Sequence, residues 1–182
     1  MTVRPILAVM AALACVTGCT VNSNRALSAG ALPAPGRAVL VYGVGLDAPW
    51  HGTAFPLELV AYDIDRQNID GNCFRFNRTE ARTASAPSGV RYFAFDVVPG
   101  YYTLSPFLPV PSTARESGFH APAGATVYAG TFIYQAGDRV ALVRDFSASK
   151  AAIVQALPQL DPGMSAATPL AIEPARMFMC TP

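Results

Sequence analysis

From Arg37 onward, apolar side chains recur at every second position. Phe55, Leu57, Leu59 and Ala61 alternate with Pro56, Glu58, Val60 and Tyr62. Phe74 and Phe76 alternate with Cys73, Arg75 and Asn77, and Phe93, Phe95 and Val97 alternate with Tyr92, Ala94 and Asp96. Side chains of an extended chain point alternately to opposite faces, so this period predicts strands with one face buried. Residues 38–44 (AVLVYGV) are apolar on both faces, which predicts a strand that is central or covered by another segment. Residues 127–134 and 139–143 add two more strands, with Gln135-Ala136-Gly137-Asp138 as a hairpin turn between them. Asp70-Gly71, Ser88-Gly89, Pro99-Gly100 and Ala123-Gly124 punctuate the rest. About seven or eight short strands over about 110 residues is the pattern of a sandwich or barrel. A helix of about eleven residues is expected near the C-terminus. Asp145 or Ser147 caps it, Ile153 and Leu157 share one face, and Pro158 stops it. The fold class expected is mainly β: a single antiparallel β-sandwich with one short C-terminal helix.

Composition narrows the function classes. With 52% hydrophobic and 14% charged residues, the chain has too much apolar surface to stay disordered. Its 182 residues suit one domain. A net charge of +1 and a single lysine, Lys150, leave no basic face for nucleic acid.

The N-terminus carries an address. Met1 to Arg4 is a short start with one positive charge, residues 5–14 (PILAVMAALA) are apolar, and Val16-Thr17-Gly18-Cys19 follows. A charged start, an apolar stretch and small residues before a cut site make a secretory signal. The apolar part is too short for a spanning helix, which needs about 20 residues. With a cysteine directly after the small residues, the segment resembles the bacterial lipobox. That resemblance implies cleavage before Cys19, diacylglycerol on the Cys19 thiol and acylation of the new amino group. It also implies outer-membrane sorting, because Thr20 stands where an Asp retains Gram-negative lipoproteins at the inner membrane. Two or more acyl chains anchor stably where one is marginal. Loss of residues 1–18 removes only Arg4, leaving twelve charges of each sign, so membrane association rests on the lipid. The division expected is a signal peptide over 1–18, the lipidated Cys19 with a flexible tether over 19–36, and a β-sandwich domain over 37–182. Residues 20–36 (TVNSNRALSAGALPAPG) are small, polar and rich in Pro and Gly, with no hydrophobic period.

Two segments carry a further resemblance. Residues 94–104 (AFDVVPGYYTL) look like the strand, Pro-Gly-Tyr, strand hairpin of transthyretin-like and carboxypeptidase-regulatory-like β-sandwiches. Residues 119–130 (FHAPAGATVYAG) look like the second hairpin of small bacterial lipoproteins of uncharacterised function, which often close with a segment like residues 177–182 (MFMCTP). The resemblance implies a fold and carries no catalytic residue across.

Few residues are candidates for chemistry. Cys73 and Cys180 are the thiols left once Cys19 is lipidated, and an exported compartment makes them a candidate disulfide. His51 and His120 lack a second ligand at metal spacing. Asp63, Asp65 and Asp70 hint at a calcium loop, but Asn68 stands where the EF-hand needs Gly and Phe74 where it needs Glu. No nucleophile elbow or phosphate loop is present. Asn77-Arg78-Thr79 matches a glycosylation sequon, which a bacterial lipobox discounts. Tyr92, Tyr101, Tyr102, Tyr128 and Tyr134 lie in or beside strands; they pack the sheets, or they form an exposed face for a glycan or protein partner. The expectation is an envelope lipoprotein with a binding or structural role. It is not an enzyme, has no cofactor or metal, and its partners are the membrane, through its lipid, and an envelope protein or glycan. The alternative is a small hydrolase-like envelope enzyme. A convergent polar cluster around His51 or His120 distinguishes that enzyme from a partner-binding module, which would show an apolar aromatic patch.

Overall fold

Strand β2 (Ala38–Leu46) organises the molecule because it is buried on both faces. A computed structural model describes residues 20–47, 54–84, 89–108, 111–136, 139–160 and 162–178. One side of β2 pairs antiparallel with β6 (Arg91–Val97); the other pairs with β9 (Thr126–Gln135). The two-residue β1 (Arg25–Ala26) extends this sheet beyond β6, and β10 (Arg139–Val143) and β11 (Ser165–Ala166) flank β9. The second sheet centres on β3 (Ala54–Asp63). It has β7 (Gly100–Leu104), β8 (Ser117–Ala121) and β12 (Pro169–Ala171) to one side. β4 (Asn68–Ile69) and β5 (Arg78–Ala84) also pair with β3. The chain is thus mainly β, two six-stranded sheets with one α-helix among the described residues, as the alternation predicts.

The core forms between the sheets. Leu40, Tyr42, Val44, Phe95 and Val97 of the first sheet meet Leu57, Leu59, Tyr102, Leu104 and Phe119 of the second. The other face of β2 presents Val39 and Val41, which α1 (Phe146–Ala156) covers with Ile153. This accounts for the doubly apolar run: a central strand needs a second cover for its outer face. Asp145 caps α1, its Oδ1 accepting from the Ala148 N–H at 2.9 Å. An eleven-residue helix is marginal alone, and the fully buried Ile153 docks it.

Buried tyrosine hydroxyls bind the layers. Tyr42 O–H meets the Thr79 hydroxyl at 3.1 Å, and Tyr134 O–H donates to the Pro56 carbonyl, so both reach from one sheet to the other. A hydroxyl buried without such a partner would cost about 1–3 kcal/mol.

The structure corrects two expectations and adds a feature the sequence reading did not address. The two segments expected to be hairpins are arches: β6 and β8 lie in different sheets from the strands that follow them, β7 and β9. Pro-Gly sets a change of direction but not its plane. Here the Tyr102 O–H donates to the Val98 carbonyl at 2.7 Å and closes the corner between the sheets. The first sheet is also not wholly antiparallel, since β2 and β9 run parallel. Their connection runs through β3, β4, β5, β7 and β8 of the second sheet as well as β6 of the first, which supplies the long crossover a parallel pair requires. Finally, β9 changes phase. Val127 and Ala129 face the core in its first half, Phe132 and Tyr134 in its second. The β2 register skips Ala129, pairing Val41 with Tyr128 and Tyr42 with Gly130. This is a β-bulge, where one extra residue swaps the faces.

Gly130 permits the bulge. Its φ is +134°, and a Cβ there would lie 2.5 Å from Leu142 Cδ1 and 3.0 Å from the Val143 carbonyl oxygen. Gly130→Ala should therefore lose about 2–4 kcal/mol from backbone strain and overpacking, read from denaturant midpoints. Unchanged stability would place the bulge elsewhere. A second expectation follows from the tyrosines. Burial pushes the Tyr102 and Tyr134 hydroxyls up to about 12, and Tyr42 higher still. Groups raised above an unfolded value of about 10 add stability that is complete below that pH and lost as pH rises through the folded values. The melting temperature should fall steeply between about pH 10 and 12. Tyrosinate absorbance of these three residues should appear only with unfolding.

Candidate functional site

The described chain begins at Thr20, the residue after Cys19, and it begins bonded to the domain. Thr20 Oγ1 donates to the Cys73 carbonyl at 3.1 Å. Val21 N–H donates to the Phe74 carbonyl at 2.7 Å, and the Val21 carbonyl accepts from Phe76 N–H at 3.0 Å. Asn22 Oδ1 accepts from Arg78 N–H at 3.1 Å while its Nδ2 donates to the Arg78 carbonyl at 3.0 Å. Asn24, 6% exposed, takes the Val98 N–H on Oδ1 and donates from Nδ2 to the Tyr102 hydroxyl. Further on, Arg37 Nε meets Asp96 Oδ1 at 2.7 Å and Arg25 reaches Asp96 Oδ2 at 3.4 Å. The composition of residues 20–36 predicts a flexible tether; within that stretch, residues 20–27 are bonded to the turn at Cys73, to β5 and to β6. Composition misled because Val-Asn-Ser-Asn has no hydrophobic period. Short amides carry donor and acceptor together, and here they satisfy backbone groups of strands over 50 residues away.

The segment meets a tight turn at Cys73. Asn72 Oδ1 accepts from the N–H groups of Phe74 and Arg75 at 2.8 and 2.9 Å, an Asx turn. The turn breaks the alternation: Phe76 is buried at 4%, but Phe74 stands 75% exposed. Phe74 is therefore not a core residue, contrary to its period-two spacing. Cys73 is disulfide-bonded. Its partner lies outside the described residues, as do Cys19 and Cys180. The C-terminal tail arrives at the same place, with Phe178 edge-on to Phe76 and Phe107 at 5.3 and 5.5 Å. Tyr62 O–H holds the tail by donating to the Glu173 carbonyl at 2.8 Å.

Thr20, Phe76, Phe107 and Phe178 wall a cleft of about 320 Å³ whose polar residues are Glu58 and Arg78. Glu58 Oε2 pairs with Arg78 Nε at 3.2 Å, and Glu58 Oε1 accepts from the Ser105 hydroxyl at 2.6 Å. Burial pushes the Glu58 carboxyl above its usual range, and the Ser105 hydroxyl and Arg78 partly offset it. The Ser105 hydroxyl is thereby spent on a carboxylate that is itself held by a guanidinium. This arrangement presents apolar groups at its walls around a carboxylate bonded to both a hydroxyl and a guanidinium.

The other candidates are distributed. His51 lies outside the described residues. His120 stacks on its cross-strand neighbour Tyr101 at 4.7 Å. Asp63 Oδ1 accepts from the N–H groups of Asp65 and Arg66, both at 3.0 Å, so the acidic stretch closes the turn between β3 and β4. Among the described residues, no group of three His, Cys, Asp or Glu could hold a metal. Tyr102, Tyr128 and Tyr134 are buried, so the tyrosines split in favour of sheet packing. The exposed apolar residues near the cleft are instead Val21, Phe74, Phe107 and Met177. Asn72, two residues before Phe74, is the sequence signal that could have shown the turn. Comparison with family models, curated proteins and solved structures finds no match for this chain.

The N-terminal segment hangs on Asp96, whose side chain is 6% exposed. Removing one partner of a buried ion pair strands the other charge. Asp96→Ala should cost about 3 kcal/mol and speed hydrogen exchange at residues 21–37 first. Exchange that rises uniformly across the domain would show that the pair supports the whole fold instead.

Proposed function

We propose that this protein is exported, acylated on Cys19 and held in the cell envelope as an outer-membrane lipoprotein with a binding or structural role rather than a catalytic one. The observation that carries the reading is Val16-Thr17-Gly18-Cys19 directly after a ten-residue apolar run and a charged start. No helix among the described residues is long and apolar enough to cross a membrane. In the cleft beside Thr20 the Glu58 carboxylate is bonded to Arg78 and to the Ser105 hydroxyl, and apolar side chains form the walls.

The disulfide follows from the same proposal. One sulfur cannot form both a thioether and a disulfide. With the signal removed, Cys19, Cys73 and Cys180 are the thiols of the mature chain, so lipid on Cys19 leaves Cys180 for Cys73. Phe178, packed on Phe76, brings the tail towards Cys73. Closing a loop of about 100 residues contributes up to about 4–5 kcal/mol in the chain-entropy model.

Metabolic labelling with a palmitate analogue should mark the wild type and not Cys19→Ala. Non-reducing peptide mapping of the envelope protein should recover a Cys73–Cys180 peptide. Label that persists in Cys19→Ala, or a Cys19–Cys73 peptide, would overturn the reading.

A further inference from the structure

The exposed apolar residues are not scattered. Four of the nine large ones among the described residues, Val21, Phe74, Phe107 and Met177, lie on or beside the segments that meet at Thr20. Val21 is 58% exposed, Phe74 75% and Met177 66%. Val21 and Phe74 are joined by a backbone hydrogen bond of 2.7 Å. Phe107 touches Phe178, the neighbour of Met177. Exposed Arg75 and Arg176 stand directly beside Phe74 and Met177 in the chain. Aromatic and aliphatic tips flanked by guanidinium groups suit the boundary between acyl chains and phosphate headgroups.

We infer that this face rests on the bilayer that holds the Cys19 lipid, with Phe74 and Val21 entering the interface and Arg75 and Arg176 meeting the headgroup phosphates. The inference rests on the lipoprotein reading above and adds the orientation of the domain. The occupant follows from chain length. Cys19 is one peptide unit, about 3.8 Å between Cα atoms, from Thr20. Thr20 and Val21 are fixed to residues 73–76 by three hydrogen bonds. A free seventeen-residue tether could have stretched about 55–60 Å and left the domain far from the membrane. With the tether bonded down, acyl chains that start at Cys19 bring the bilayer to within a few ångströms of Val21 and Phe74. A pair of turns with exposed Phe and Val would otherwise be a patch in water with no cover.

The test uses the full lipidated protein in phosphatidylethanolamine–phosphatidylglycerol vesicles containing brominated phospholipid. Trp50, the sole tryptophan, is replaced by Phe. One tryptophan is then placed at the exposed patch by Phe74→Trp, or on the far side of the sandwich by Val154→Trp, on α1. The expected result is blue-shifted emission and loss of most of the fluorescence for Phe74→Trp, with several-fold less quenching for Val154→Trp. Equal quenching at the two positions, or emission from Phe74→Trp that the brominated lipid leaves unchanged, overturns the proposal. Emission that is blue-shifted in envelopes yet unquenched in vesicles overturns it in favour of a protein partner. The mass of the N-terminal peptide is read in the same samples. A Cys19 without lipid fails the anchor reading and this inference together, whereas a lipidated Cys19 with an unquenched patch fails this inference alone.

Discussion

The ion pair between Arg37 and Asp96, 2.7 Å long and largely withdrawn from water, ties the N-terminal segment to the first sheet. Arg37 immediately precedes β2, the strand on which both core layers are built. Asp96 lies on β6, beside it, and also gathers Arg25 and the Ala34 N–H. A carboxylate so enclosed is stable only while its cations stay in place. The pair thus holds residues 20–37 down, and the Arg37 guanidinium adds bonds to the Ser23 and Asp96 carbonyls at 2.6 and 3.0 Å. The docking of residues 20–27 on the two sheets depends on that segment not swinging free.

The two sheets are matched to each other through irregularities rather than through uniform strands. The bulge at Ala129 lets one long strand serve as partner to β2 along its length while exchanging its core-facing residues midway. Below the bulge, Tyr128 turns outward under α1, and its hydroxyl donates to Ser149 Oγ at 3.2 Å. Above it, Phe132 and Tyr134 enter the inter-sheet core. A strand without the extra residue would put one of these sets on the wrong face. Gly130 is the only residue type that accepts the conformation without steric cost.

The outer face of the second sheet is finished by the C-terminal tail, not by strands. Ala175 and Phe178 pack against Val60, Ile69 and Phe76. This gives β3 a buried residue, Val60, on the face opposite to Leu57 and Leu59. Thr20 and Phe178 thus meet near the turn around Cys73, beside a ring cluster and the cleft above Glu58 and Arg78. A disulfide at Cys73 strengthens a junction that hydrogen bonds and aromatic contacts already define.

Much of this was legible in the residues. Alternation in β3 and β6, the doubly apolar β2 and the Asp145 cap each followed from local rules, because strand faces and helix starts depend on neighbours one to four positions away. What the residues could not show was which strand meets which, since Pro99-Gly100 turns a chain within a sheet or between sheets with equal ease. They also hid the docking of residues 20–36, whose Asn and Ser side chains bond to backbone groups of distant strands, and the exposure of Phe74, whose alternation is cancelled by the Asn72 turn. Local pattern set the faces, because each residue's direction follows from its own backbone. Pairing, docking of the N-terminal segment and the apolar residues beside Thr20 were settled in three dimensions, because each depends on partners that the chain brings together only by folding.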